Sequence, residues 1–256
     1  MSSLLADFRR RLAEGDSVIG PFMKTGDPAF VEAAGYAGFD FVILDTEHGP
    51  VSIENMQNNV RAALVAGALP IIRVQDDSAS SIGKALDIGA FGVQIPQVQT
   101  AQEAQAAIRK AKFYPKGERG VCRFVRAAQY SALERNAYFQ AASDTFVILQ
   151  LEGTEAIDNI DSILQVPDID ILFIGPYDLS QSLGIPGETS HPKVVEQMQF
   201  IVEKARCAGI VVGTFVDQPE AIQRWKDAGV QYISYSVDVG IFVEACRQIV
   251  KLHSNG

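Results

Sequence analysis

Cysteine is scarce in this sequence: three residues in 256, at positions 122, 207 and 246, with no C-x-x-C pair among them. That spacing argues against a disulfide framework and a thiolate metal cage. It reads instead as three reduced thiols packed as small hydrophobes. Basic charge is also in deficit, with 22 Lys and Arg against 31 Asp and Glu, a net charge of −9 and a pI near 4.9. A surface of that sign repels nucleic acid and anionic lipid, so neither is an expected partner. No apolar run approaches the roughly 18 residues that would span a membrane, and "MSSLLADFRRRLAEGDS" has no apolar core of signal-peptide length. The expectation is a cytoplasmic protein that does not span a membrane. With 47% apolar residues, the chain suits one domain over residues 1–256. Histidine is rare too, at three residues, so the placement of each carries information.

What the sequence has in quantity is a repeated local pattern. An amphipathic segment ends on Gly and an apolar run follows at once, as in "AAGYAGFDFVIL", "LVAGALPIIRV", "LDIGAFGVQIP", "KARCAGIVVGTF" and "WKDAGVQYISY". Gly after a helix adopts the left-handed conformation without a Cβ clash, so each instance reads as a helix stop followed by a strand. Helix starts agree. Pro28 and Pro219 stand at first-turn positions, and Thr100 with Glu103 has capping-box spacing. With "SVIGPFM", "TFVILQLE" and "DIDILFIG" the count is eight strands, near residues 18, 40, 70, 92, 146, 170, 210 and 231. Their unbroken Val, Ile, Leu and Phe character fits parallel strands buried on both faces. Eight alternating units without a composition break predict a (β/α)8 TIM barrel. Two connections are long, roughly 97–145 and 175–209, and the first holds Arg119, Arg123 and Arg126, read as a solvated face.

Barrel sites are built at the C-terminal ends of strands, and the polar residues there are few. "FDFVILDTEHGP" runs from a buried strand into Asp45, Glu47 and His48; Arg73 interrupts "PIIRV"; Gln150 and Glu152 share one face of the fifth strand; Asp178 follows the sixth in "GPYDLS". Two carboxylates on neighbouring strands need a cation between them. Oxygen-only ligands at Glu152 and Asp178 suit a hard divalent ion, Mg²⁺, Mn²⁺ or Co²⁺; the competing reading is that Arg73 neutralises them. His48 beside Asp45 has the makings of a base with its orienting carboxylate. Lys24 is the one lysine at a strand end, and no Gly-rich phosphate cradle follows the last two strands, so imine chemistry and phosphate anchoring are disfavoured.

Taken together, "GFDFVILDTEHGP", "PIIRV", "GERGV", "VILQLEGTEA" and "DILFIGPYDLSQSLG" resemble the HpcH/HpaI aldolase family, in order and over nearly the whole chain. The resemblance implies a class II, divalent-metal-dependent aldolase that cleaves a 4-hydroxy-2-oxo acid to pyruvate and an aldehyde, without an organic cofactor. It also implies a homo-oligomer, a hexamer, whose C-terminal helix is exchanged between subunits. Carried over by position, the metal carboxylates are Glu152 and Asp178, the base is His48 with Asp45 as its partner, and Arg73 is the catalytic arginine. Gln150, Arg73, Pro176 and Tyr177 face the substrate. The chain departs from the family pattern at Thr46, Cys122, Gly153 and Tyr177, and these departures bear on which substrate is taken. The alternatives are an acyl-CoA lyase of the same superfamily and a noncatalytic metabolite-binding barrel.

Overall fold

A computed structural model of the chain describes residues 3–254. Eight parallel strands close into a barrel in sequence order: β1 Val18–Met23, β2 Phe41–Asp45, β3 Leu69–Arg73, β4 Gly92–Ile95, β5 Phe146–Leu151, β6 Ile171–Ile174, β7 Val211–Val216 and β8 Tyr232–Val237. Between them run α2 Pro28–Tyr36, α3 Ile53–Val65, α4 Ala79–Asp87, α5 Ala101–Ala111, α6 Arg135–Ser143, α7 Thr154–Asp158, α8 Ile160–Ile163, α9 Pro176–Ser182, α10 Pro192–Cys207 and α11 Pro219–Ala228, with α1 Ser3–Ala13 before the barrel and α12 Asp238–Ser254 after it.

The local signals act as expected. Gly38, Gly67, Gly89, Gly209 and Gly229, the stops of the five repeated segments, all have positive φ between 73° and 102°. Thr100 and Glu103 form a reciprocal capping box, and Pro28 and Pro219 begin their helices.

Two apolar layers hold the fold. One lies between strands and helices and includes Val42, Leu44, Val93, Leu149 and Trp225; the other fills the barrel with Phe22, Ile43, Ile71, Ile148, Phe173 and Tyr232. Helix α1 caps the N-terminal end. Its Leu5, Phe8 and Leu12, spaced along one face, are buried, and Phe8 packs edge-on against Phe41 at 6.0 Å and Phe146 at 5.5 Å. With that end plugged, access to the interior is from the C-terminal ends of the strands.

Two expectations are corrected. The cysteines are free thiols but not buried: Cys122 and Cys207 are exposed and Cys246 is intermediate, because they sit on the long β4–β5 connection, the end of α10 and the open face of α12. The arginines of that connection are clamps rather than a solvated face. Arg119 is buried with its guanidinium 2.6 Å from Asp87, Arg123 donates to the carbonyls of Ser131 and Leu133, and Arg126 to that of Ile88.

Candidate active site

The barrel register sets a polar belt at the C-terminal mouth. Asp45 ends β2 directly opposite Arg73, and Arg73 lies opposite Gln94 on β4. Gln150 and Glu152 extend the belt along β5, and Gly175-Pro176 turns β6 into α9, which begins with Tyr177 and Asp178. Residues spread over more than 130 positions thus meet at one rim, as strand closure requires.

Asp45 and Arg73 form a two-pronged pair, Nε to Oδ1 at 2.9 Å and Nη2 to Oδ2 at 2.7 Å, with Asp45 fully buried. Burial would raise the Asp45 carboxyl, but the hydrogen bonds and charge of Arg73 overcome it and hold the group below the ordinary aspartate range. Lys24 Nζ adds a weaker contact at 3.7 Å to Asp45 Oδ2. Asp238, buried at the head of α12, accepts hydrogen bonds from the backbone of Lys24 and Thr25 and so fixes that loop.

The expected Asp45–His48 partnership takes a different form. Asp45 Oδ1 accepts the backbone N–H groups of Glu47 at 3.1 Å and His48 at 3.3 Å, which shapes the turn, while its oxygens are otherwise committed to Arg73. The carboxylate beside the imidazole is Glu47, with Oε1 4.0 Å from His48 Nε2. The imidazole itself is largely open to solvent at the mouth, as a base that meets substrate needs to be. Glu47 also lies 2.9 Å from Arg73 Nη1, an ion pair without hydrogen-bond alignment. Burial outweighs that arginine and raises the Glu47 carboxyl, with Asp45 and Asp178 adding repulsion.

On the other side of the mouth, Glu152 is 8% exposed. Its Oε1 accepts the N–H of Gln97 at 2.8 Å and its Oε2 accepts Gln150 Nε2 at 2.6 Å. Gln97 is held at φ 55°, a left-handed bend uncommon for a non-glycine residue, in the loop that aims this N–H. Gln94 Nε2 donates to Gln150 Oε1 at 2.6 Å, so the two amides and the carboxylate form one directed chain. Gly175 makes room for it: a Cβ there would come within 2.8 Å of Glu152 Oε2.

Burial drives the Glu152 carboxyl up to about 7, and the negative charges of Asp178 and Glu47 push the same way against the bonds from Gln150 and Gln97. Arg73 does not relieve this charge, since it is spent on Asp45 and Glu47, and among the described residues neither Glu152 nor Asp178 forms an ion pair. The reading in which Arg73 neutralises these two carboxylates is therefore set aside. A buried carboxylate raised by neighbouring carboxylates, all donors being oxygen, is the electrostatic pattern that a hard divalent cation relieves. Among the described residues no group of three or more His, Cys, Asp or Glu converges to hold a metal. Glu152 and Asp178 are the mouth carboxylates whose oxygen donors would suit such a cation.

Tyr177 stands next to Asp178 and is 45% exposed. Its hydroxyl donates to Asp217 Oδ2 just beyond β7, and its ring meets Phe215 edge-on at 5.9 Å. Pro176 is buried at the first turn of α9. Sequence reasoning named Glu47 without a role and missed Gln94, Gly175 and Asp217. Gln94 was detectable in principle as a polar residue inside an apolar strand, "GVQIP"; the other two act through contacts that no local pattern records.

The chain is similar over almost its whole length to proteins of one family. Residues 19–245 match the family model described as HpcH/HpaI aldolase/citrate lyase. The chain is 34% identical over 259 residues, 100% of this chain and 96% of the relative, to a 2-keto-3-deoxy-L-rhamnonate aldolase of Escherichia coli O17:K52:H18 (strain UMN026 / ExPEC). Among solved structures, an HpcH/HpaI aldolase/citrate lyase family protein from Burkholderia cenocepacia J2315 superposes with a TM-score of 0.92 at 31% identity, covering 97% of this chain and 99% of that one. An HpcH/HpaI aldolase from Desulfitobacterium hafniense DCB-2 gives 0.88 at 33% identity, covering 95% of each.

Proposed function

The chain belongs to the HpcH/HpaI aldolase/citrate lyase family, and from that premise we propose that it cleaves 4-hydroxy-2-oxo acids reversibly to pyruvate and an aldehyde at the mouth formed by β2, β3, β5 and β6. It is a carbon–carbon lyase, a metal-dependent aldolase acting on small keto acids and aldehydes. The observation that carries the residue-level reading is the Glu152 carboxyl, buried and raised to about 7 beside Asp178 and Glu47, with no cation among the described residues paired to it.

Glu152 and Asp178 would hold the divalent ion, Mg²⁺, Mn²⁺ or Co²⁺. When bound, such an ion supplies Lewis-acid stabilisation of the negative charge that develops as the bond between C3 and C4 breaks. The chain's own residues do the rest. Arg73, its guanidinium fixed by Asp45 and Glu47, borders the mouth as the arginine that the family pattern assigns to the reaction. Gln150 is locked by Gln94 and Glu152, which leaves one amide N–H for a substrate oxygen. His48, exposed at the rim, takes the C4 hydroxyl proton in cleavage and returns it in the aldol direction. Asp45 positions the turn that carries His48, and Glu47 is the carboxylate beside its imidazole, with Oε1 4.0 Å from Nε2. Pro176 and Tyr177 border the aldehyde side.

The assembly we propose is a homo-oligomer, a hexamer as in the family pattern, in the cytoplasm, each subunit one catalytic domain. Helix α12 supports this: only Asp238 of its residues is buried, while Phe242, Ile249, Val250 and Leu252 are exposed. A species of 27.8 kDa in sedimentation at micromolar concentration would end that proposal. Among the described residues no helix is long and apolar enough to cross a membrane.

The deciding experiment follows pyruvate release from a panel of 4-hydroxy-2-oxo acids with Mg²⁺, Mn²⁺ or Co²⁺, before and after EDTA. Metal-dependent release supports the reading. Full turnover after chelation, or an imine trapped by borohydride at Lys24, overturns it.

A further inference from the structure

We infer that Tyr177 and Asp217 form the wall of an acceptor subsite that selects uncharged, hydroxylated aldehydes over aldehydes ending in a carboxylate. This rests on the aldolase reading of the mouth given above and names its second substrate by chemistry.

The location comes from an aromatic path across the mouth. The Arg73 guanidinium lies over the Phe22 ring at 4.6 Å, Phe22 packs on Phe215 at 6.0 Å, and Phe215 meets Tyr177 at 5.9 Å. Phe215 belongs both to the barrel interior and to the wall of a cavity of about 330 Å³ that opens beyond β6 and β7. Pro176 and Tyr177, the two residues before Asp178, line that cavity, so it adjoins the mouth at the β6 end. A 2-oxo acid whose oxo and carboxylate groups occupy the Arg73 and Glu152 side directs its C4 substituent there.

The cavity's polar lining is rich in hydrogen-bonding groups: Tyr177, Thr189, Ser190, Asp217 and Gln218, with Arg224 at its edge. The Tyr177 hydroxyl spends its proton on Asp217 Oδ2, so toward the cavity it offers lone pairs, and Asp217 Oδ1 offers more. Such a wall accepts hydrogen bonds from hydroxyl groups. A carboxylate donates none and meets the Asp217 charge head-on, a like-charge juxtaposition that disfavours it. Among the described residues Arg224 is the one cation lining the cavity, with Asp217 and Glu220 also in its lining, and its guanidinium rests 5.2 Å over the Trp225 ring.

The test measures kcat/KM in the aldol direction with pyruvate and Mg²⁺ for glycolaldehyde, lactaldehyde and succinic semialdehyde. The wild-type protein should favour the two hydroxyaldehydes by at least about 10-fold. Asp217→Asn removes the charge at nearly constant shape and should reduce that ratio by about 10-fold or more. Tyr177→Phe should reduce it through loss of the hydroxyaldehyde rate. Using a ratio within each variant cancels any general loss of activity. An unchanged ratio in both variants, or a wild-type preference for succinic semialdehyde, which would give the cavity to Arg224, overturns the inference. Exchange of the pyruvate methyl protons in D₂O by the wild-type protein reports enolate formation without an acceptor. Exchange with no acceptor selectivity sinks the subsite alone; absence of exchange brings down the aldolase reading and the subsite with it.

Discussion

Stripping divalent ions from this protein should make its stability fall as the pH rises toward neutrality, and the reason is Glu152. Its carboxyl stands at about 7 in the folded chain against an ordinary glutamate value of 4.5. Between those values the folded protein keeps a proton that the unfolded chain has released. Its contribution to stability is therefore full below about pH 4.5 and is lost as the pH passes through about 7. The rise from 4.5 to about 7 makes the loss about 3 kcal/mol, since a tenfold change in proton affinity is worth about 1.4 kcal/mol. For a chain of this size that lowers Tm by about 6 to 12 °C. Glu47, also raised by burial, adds to the same slope, whereas Asp45, held low by Arg73, titrates in more acid solution. A divalent ion that binds the charged pair should offset the loss, by about 2.7 kcal/mol at a hundredfold excess over its Kd. The assay is thermal unfolding by circular dichroism from about pH 4.5 to 7.5, in EDTA and then in Mg²⁺ or Mn²⁺, for the wild type and Glu152→Gln. The neutral variant should flatten the metal-free slope to the part that Glu47 leaves, and metal should no longer raise its Tm. A metal-free wild-type Tm that stays level or rises across this window, or a Glu152→Gln slope equal to the wild type's, refutes the argument.

Three further outcomes are expected. His48→Ala should lower turnover by roughly 10²- to 10⁴-fold with metal affinity retained, while Asp178→Ala should be partly rescued by added metal; rescue of the histidine variant instead would make "DTEH" a source of ligands. Arg73→Ala leaves the fully buried Asp45 without its two-pronged partner and should cost about 3 to 5 kcal/mol in urea unfolding as well as activity, and Arg73→Lys, unable to match both oxygens, should recover only part of either. Gly175→Ala puts a methyl group within 2.8 Å of Glu152 Oε2, so metal affinity measured by calorimetry should drop although no ligand is altered; wild-type affinity would show that the carboxylate has room to move.

The sequence by itself determined the barrel. Strand apolarity, the glycine stops and the helix caps are local effects, each settled within a few residues, and the observed strands start within about two residues of the expected positions. It also placed Asp45, His48, Arg73, Gln150, Glu152, Pro176, Tyr177 and Asp178 at strand ends, since the fold assigns that position to polar residues that interrupt buried runs. The division of contacts among them was decided only by the tertiary structure. Adjacency in the chain suggested that Asp45 serves the imidazole of His48, but the β2–β3 register sets it opposite Arg73, and a buried carboxylate takes the fixed two-pronged cation over a solvent-exposed ring. Gln94 meets Gln150 from 56 positions away, Gly175 clears space for Glu152 from the next strand, and Tyr177 finds Asp217 40 positions on. The exposure of the cysteines follows the same rule, because α12 and the long β4–β5 connection leave the barrel wall where an apolar pattern alone implies burial. Local chemistry chooses helix, strand and turn, whereas barrel closure chooses which side chains from different strands share a dielectric, and that choice sets the charges at the site.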